Sequence, residues 1–383
     1  MDQKWEILSS SDEDREKIWG RSRTFAGDVW FRFRHKPTAL AGLILIAVLM
    51  AFAFFGPFFT KYDYAEQNLT VVNIPPRMTV YDAPDGNGYL TITQNLKLLR
   101  VDQDGRLGDQ LTRVRDDDAR SMTIFDCGGT EVGLYYGKTP YKVCNPEKLT
   151  VYHHRKIWNR SYLLGTDALG RDILTRLMYG TRVSLLVAFV AAFVNMIVGI
   201  IYGGISGYVG GMTDQIMMRI VDIISTIPLT LYVILIMVIM GSGLQSIIVA
   251  LGSVYWVDMA RVVRGQVLSL KNQEFVVAAR TIGSSTRTIL FQHLIPNAMG
   301  SILVTVTMLI PSAIFMEAFL GFLGIGLQPP LASLGTMCND ATENLRTSPY
   351  QLFIPALVIV LIMFGFNFVG DGLRDALDPK LKK

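Results

Sequence analysis

The sequence predicts an all-α polytopic membrane protein of six transmembrane helices that carries a small β-rich extracytoplasmic insert. Three observations predict it. Half of the 383 residues are hydrophobic and only 18% are charged, whereas a soluble domain is about a quarter charged. Five stretches, 37–60, 183–213, 223–257, 294–316 and 347–370, contain no Asp, Glu, Lys or Arg. A single hydrophilic block, 60–160, is dense in turn signals such as "DAPDGNG", "DQDGRLGD" and "DCGGTEVG", with short strand-type runs between them.

The elements follow in order. Residues 1–38 read as a cytoplasmic tail ending in an interfacial helix. There Trp19, Trp30, Phe31 and Phe33 interleave with Arg21, Arg23, Arg32 and Arg34, the composition of a segment lying on an anionic leaflet. Residues 39–59 read as an anchor helix and not as a cleavable signal, because a long polar segment precedes them and no small-x-small cleavage pattern follows. The insert, 60–160, comes next. A five-helix membrane domain occupies 161–375, and a cytoplasmic tail occupies 376–383. A bilayer span needs about 20 apolar residues, so the run 223–257, interrupted by "MGSGLQS", holds two spans. The six spans fall near 39–59, 183–207, 223–242, 245–265, 299–323 and 351–370.

Charge orients them. Arg15, Lys17, Arg21, Arg23, Arg32, Arg34 and Lys36 precede the first span, and Arg374, Lys380, Lys382 and Lys383 follow the last. The positive-inside rule places both termini in the cytoplasm, together with the loop that carries Lys271, Arg280 and Arg287. The insert and the loop 325–350 then face outside.

Several chemistries are absent. There is no G-x-x-x-x-G-K-[ST] pattern to cradle a nucleotide and no HEXXH. Asp371 in "VGDG" has no second mid-membrane aspartate to face it, since Asp222 and Asp258 lie near span edges, so an aspartyl protease is not supported. The acidic run Asp116–Asp118 is read as a solvated turn ahead of a Ca²⁺ site. Cys127 and Cys144 both fall outside the membrane, where a disulfide and two free thiols fit equally. Glu317 is the one carboxylate deep in a span. It either lines a polar path or serves the packing of a broken helix, the second being preferred. Arg261 has Asp258 as a partner near the end of span four.

The segment 274–297, "EFVVAARTIGSSTRTILFQHLIPN", reads as helix, turn, helix. Phe275, Ala278, Ala279 and Ile282 fall at i, i+3, i+4 and i+7, one narrow apolar stripe with small residues in its middle. Gly283 suits a helix C′ position, and "IPN", with Pro296, restarts the chain into span five. Docking element and amphipathic helix resting on the membrane fit these residues equally.

These residues resemble a family. "VVAARTIGSSTRTILFQHLIPN" is similar to the coupling loop of ABC importer permeases, in the form found in the oligopeptide, dipeptide and nickel branch that ends His-x-x-Pro-Asn, with Val277 where the general signature has Glu. "GTDALGRDILTRLMYGTRVSL" (165–185), with Gly165, Asp167, Gly170, Arg171 and Asp172, resembles the lead-in to that branch's permease domain. "GYVGGMTDQIMMRIVDIISTIP", "EAFLGFLGIGLQPPLASLG" and "FNFVGDGLRDALDP" resemble three further family stretches. The resemblance covers 159–379 strongly and 1–60 loosely, and nothing carries over to 61–158.

The resemblance implies the ABC type I importer permease fold and a non-catalytic membrane subunit, the second of two related permeases, in a bacterial or archaeal cytoplasmic membrane. The implied partners are a second homologous permease, two cytoplasmic ATPase subunits, an extracytoplasmic peptide-binding protein and membrane lipid, with no nucleic acid. No cofactor is bound by this chain; ATP and Mg belong to the ATPases. The helix with Phe275, Ala278, Ala279, Arg280, Ile282 and Gly283, followed by Arg287, His293 and Pro296, would couple ATPase closure to alternating access. The implied cargo is peptides, oligopeptides foremost, with dipeptides or nickel as the alternative and an ATP-independent transporter behind both. The insert is expected to meet the binding protein, or else to cover the partner permease.

Overall fold

The computed structural model describes residues 24–377. Trp19, Arg21 and Arg23, and the tail beyond Leu377, lie outside them. The chain opens with α1 (Phe25–His35), capped by Thr24, whose hydroxyl accepts from the Gly27 amide. Lys36 leaves the helical conformation ahead of Pro37, as residues before proline do. Pro37 then starts α2 (Pro37–Phe55), which ends in a 3₁₀ turn at Gly56–Phe59.

The insert is a pair of antiparallel sheets. Its strands are β1 (Arg77–Asp82), β2 (Tyr89–Ile92), β3 (Leu98–Val101), β4 (Leu107–Gln110), β5 (Thr112–Asp117), β6 (Met122–Cys127), β7 (Thr130–Tyr135), β8 (Lys142–Cys144) and β9 (His154–Trp158). The first sheet has the order β4-β3-β2-β1-β9, the second β5-β6-β7-β8. Period-two alternation sends Tyr81, Leu90 and Leu98 toward Phe125, Val132 and Leu134 of the second sheet, which together form the insert core. The opposite face of the first sheet packs Met78, Val80 and Leu99 with Val71 and Tyr162, seating the insert on the polypeptide that leads to the membrane helices.

Those helices are α3 (Ile173–Val209), α4 (Gly211–Thr226), α5 (Leu229–Met240), α6 (Leu244–Gly252), α7 (Trp256–Leu270), α8 (Glu274–Thr281), α9 (Ile295–Phe322), α10 (Leu334–Thr342) and α11 (Tyr350–Leu377). Five candidate spans are long and apolar enough to cross a bilayer: Pro37–Phe59, Ile173–Val209, Leu244–Leu270, Thr286–Phe322 and Tyr350–Leu377. The pair α4 and α5 is bent by 84° and counts as a sixth if taken as one span. This corrects the straight third span expected at 223–242. Pro228 has no N–H to continue the helix and pushes Ile227 into an extended conformation. The fourth span breaks as well, between Gly252 and Trp256.

Small residues set the closest contacts. Ala39 and Gly42 of α2 meet Gly365 and Gly372 of α11, where an added Cβ would fall within 2.2–2.8 Å of the facing helix. Side chains facing away from these contacts, such as Phe353, Leu357 and Phe364 on α11, are exposed and apolar. They form a lipid-compatible surface, and the buried cluster that includes Leu185, Met237, Leu251, Ile314 and Phe366 lies at the centre of the bundle.

Candidate functional site

The short helix α8 is built to be rigid on one side and apolar on the other. Val276 and Ala279 are buried in one cluster with Val263, Val267, Leu290 and Leu294, and α8 packs on the turn Ile289–Leu294 that leads into α9. The stripe expected over Phe275, Ala278, Ala279 and Ile282 is therefore split. Ala279 turns inward and Val276, not in that stripe, joins it. Phe275, Ala278 and Ile282 face outward, Ile282 at 85% exposure. The i, i+3, i+7 spacing makes these three one exposed ridge. The inward pair at i, i+3 is a weak signal that a sequence reading had no reason to prefer.

Gly283 ends the helix at φ +86. Its amide donates to the Arg280 carbonyl (2.9 Å) and the Ser284 amide to the Ala279 carbonyl (3.0 Å), the paired bonds of a Schellman cap. Arg280 places its guanidinium 5.3 Å from the Tyr208 ring centre, tying α8 to α3. Arg287 is exposed and His293 half-buried. Beyond the cap Ser285 starts a new helix by accepting from the Thr288 amide. That helix does not stop at "IPN", as expected from the sequence. It begins at Thr286–Thr288, widens into a π turn over Ile289–Leu294 and runs on as α9. Pro296 lacks an N–H and its ring crowds the carbonyl four residues back; the wider turn just before it relieves that conflict without breaking the helix.

The lead-in to α3 forms an ion-pair cluster. Gly165 and Gly170 take positive φ and bend the chain so that the Asp167 carboxylate accepts from its own loop amides at Leu169 and Arg171 (2.9 Å each). The same carboxylate pairs with Arg171 (2.7 Å) and Arg176 (2.5 Å), and both arginines reach Asp340 of α10 at 3.1 Å. Asp172 is the N-cap of α3, accepting from the Thr175 amide (2.9 Å) and hydroxyl (2.6 Å). Burial pushes its pKa above the usual carboxylate range, against the hydrogen bonds from Thr175. Asp340 was not identified from sequence; it lies 169 residues from Arg171, and nothing local marks it.

Glu317 is fully buried in α9. Ser184 of α3 donates to its Oε2 at 2.6 Å, while Oε1 has no hydrogen-bond partner among the described residues. The Ser184 hydroxyl also receives the Leu334 amide, 3.4 Å away, at the first turn of α10. That turn is held by a capping box between Ser333 and Thr336. It approaches α9 so closely that a Cβ on Gly335 would lie 2.3 Å from the Ala318 carbonyl. The carboxylate thus joins α3 and α9 beneath the start of α10.

The Cys127–Cys144 disulfide does not form; both thiols are free and buried. Cys127 packs with Phe125 and Val132, Cys144 with Met122 and Ile124 on the other face of the same sheet, and β7 lies between their strands. Asp116 is occupied by Arg113 and the Thr123 hydroxyl, and Asp117 caps a 3₁₀ turn. Among the described residues no group of three His, Cys, Asp or Glu is placed to hold a metal. Arg261 lies 3.4 Å from both Asp258 and Asp222.

Comparison with known proteins then bears on the arrangement. Residues 174–383 match the family described as "binding-protein-dependent transport system inner membrane component", and residues 24–76 match "N-terminal TM domain of oligopeptide transport permease C". The chain is 39% identical over 379 residues to the oligopeptide transport system permease protein OppC of Bacillus subtilis (strain 168), covering 99% of this chain and 97% of that protein. It is 36% identical over 381 residues to the dipeptide transport system permease protein DppC of the same organism, covering 99% and 93%. It is 50% identical over 219 residues to the OppC of Salmonella typhimurium, covering 57% and 72%. Among solved structures, the inward-facing MetNI methionine ABC transporter aligns at 22% identity and a TM-score of 0.45, covering 53% of this chain and 96% of that one.

A helical membrane body with the family and OppC sequence matches defines an ABC importer permease subunit. The chain belongs to the binding-protein-dependent inner-membrane transport family, and its N-terminal segment is of the oligopeptide permease C type.

Proposed function

We propose that this chain is one of two permease subunits of an ATP-driven importer that carries peptides, oligopeptides foremost, across a bacterial or archaeal cytoplasmic membrane with both termini inside. The observation that carries the reading is α8: a chain with no nucleotide-binding motif presents Phe275, Ala278 and Ile282 outward from a helix fixed by Val276, Ala279 and a Schellman cap. Such a ridge transmits a push without absorbing it. Two cytoplasmic ATPases, binding ATP and Mg, close on this helix and its counterpart on the second permease and bias the spans between inward- and outward-facing arrangements. The Asp167–Arg171–Arg176–Asp340 cluster and Glu317 keep α3, α9 and α10 together during that motion. The insert faces the side from which cargo arrives and meets an extracytoplasmic peptide-binding protein. The likeness to a dipeptide permease supports dipeptides as the second cargo.

The test is an affinity pull-down from native membranes in mild detergent, run on the wild type and on a variant carrying Ala278→Glu and Ile282→Asp. Both positions are exposed, so the fold is retained. The wild type brings down a second permease and ATPases; the variant keeps the permease, loses the ATPases and stops peptide uptake. A variant that retains its ATPases and imports normally sinks the reading.

A further inference from the structure

A cleft of about 1030 Å³ opens in the insert between β1, β2 and β9 on one side and the segments around Tyr141 and Tyr152 on the other. Its chemistry is lopsided. The pairing of Tyr81 with His154 and Thr79 with Lys156 places these four on one face of the sheet. Lys142, at the start of β8, also lines the cleft. Among the described residues no Asp or Glu lines it. The other cations nearby are matched, Arg155 lying 3.7 Å and His153 3.5 Å from Asp82, with Arg155 also stacked over Tyr89. Lys142 and Lys156 have no ion-pair or hydrogen-bond partner among the described residues, and both are exposed.

The cleft also has an open backbone. β9 is the last strand of its sheet, so one edge of His154–Trp158 has no strand partner. An unpaired edge offers alternating N–H and C=O groups that only an extended main chain matches in register. The cleft volume is at the upper end of the range of about 300–1,000 Å³ typical of small-ligand sites, which suits a short segment better than a folded surface. Gln94 closes one end; it accepts from Asn73 (2.6 Å), and Asn73 in turn accepts from Gln351 at the start of α11 (2.7 Å).

We propose that this cleft binds a short anionic peptide in extended form. Its main chain adds to the open edge of β9, and its carboxylates sit between Lys142 and Lys156. The assignment rests on the peptide-import reading above, and it gives the insert a receiving site for acidic cargo distinct from any path between the spans.

The test uses the purified transporter complex in nanodiscs, without binding protein or ATP. Binding of a fluorescently labelled oligo-glutamate peptide is followed by anisotropy, beside its oligo-glutamine counterpart. The expected result is saturable, salt-sensitive binding of the glutamate peptide that weakens by about tenfold or more in the Lys142→Glu/Lys156→Glu variant, with the glutamine peptide binding poorly. Equal binding by wild type and variant, or no saturable binding by wild type, overturns the proposal. If wild type binds no peptide, and binding protein added in a separate pull-down is captured by wild type and not by the variant, the surface is assigned to protein docking and the proposal is overturned. Uptake of a neutral peptide by the complete system is measured in parallel. If uptake proceeds while anisotropy fails, the cleft assignment falls and the importer reading stands; if peptide binds but nothing is taken up, the importer reading falls alone.

Discussion

Glu317 sets the terms at the scale of single residues. A carboxylate in a span marks itself in the sequence by cost alone, and the hydropathy around "SAIFMEAFLGF" made it visible. Its role was not visible, because the partner that decides it, Ser184, is 133 residues away. The geometry favours packing over a polar path: the side chain is fully buried and holds Ser184, which in turn reaches the first turn of α10. Removing the hydroxyl by Ser184→Ala leaves a buried acceptor without its donor, at a cost of about 1–3 kcal/mol, seen as a lower melting temperature of the complex in detergent. Glu317→Gln keeps an acceptor for Ser184 and is expected to import peptide normally. A Gln variant that is stable yet inactive contradicts this and places Glu317 on the path. Arg171 and Arg176 teach the same lesson. Their partner Asp167 is local and foreseeable, whereas Asp340 comes from α10 and is not.

At the scale of elements, the apolar periods located the helices and the turn signals located the strands, but side and straightness came from packing. The 275–283 helix and its glycine cap were legible, since a positive φ at that place has few substitutes for glycine. Which stripe faces outward was not, because packing on the turn Ile289–Leu294 selects Val276 and Ala279 as the inward pair. The bend at Pro228 was legible in principle, for a proline inside an apolar run breaks or kinks it, and the run of 223–242 was read through it. In the insert, two cysteines left a bridge open, and the pleat closes it by placing them on opposite faces. Burial raises the pKa of both thiols, with Asp85 adding to the effect at Cys127. The intact protein is therefore expected to migrate identically with and without reductant. Cys127 and Cys144 should resist alkylation until denaturant is added and then react fully, as read by mass spectrometry of the labelled peptides. Labelling of neither thiol in denaturant without reductant would show that the bridge exists.

At the scale of the whole molecule, the insert and the membrane helices are joined through a small polar seam. Gln351, buried at the start of α11, donates both to the Asn73 side chain (2.7 Å) and to the Thr166 carbonyl (2.9 Å). The Tyr350 hydroxyl shares its proton between the Ile74 carbonyl (3.1 Å) and the Thr166 carbonyl (3.2 Å), and the Thr166 hydroxyl accepts from the Ile74 amide (2.9 Å). Residues from the first part of the insert, from after it and from the last helix thus meet within one hydrogen-bonded patch, which is how a domain inserted after the anchor helix holds a fixed position on the bundle. None of this was legible, since Asn73 and Thr166 are polar residues in connecting segments and Gln351 one at a helix start, with no pattern to mark their meeting. Gln351→Leu leaves the Asn73 amide oxygen and the Thr166 carbonyl buried without that donor, again a cost of about 1–3 kcal/mol. The loss should fall on the seam and not on the bundle, because the contacts of α2 with α11 run through Gly42 and Gly365, away from it. Hydrogen exchange of the intact complex is expected to speed up in peptides covering 68–76 and 162–172 while those from α2 and α9 keep their protection. If protection at the seam is unchanged, the insert is held by the apolar packing of Met78, Val80 and Tyr162 instead; faster exchange throughout would mean that the seam supports the bundle as a whole.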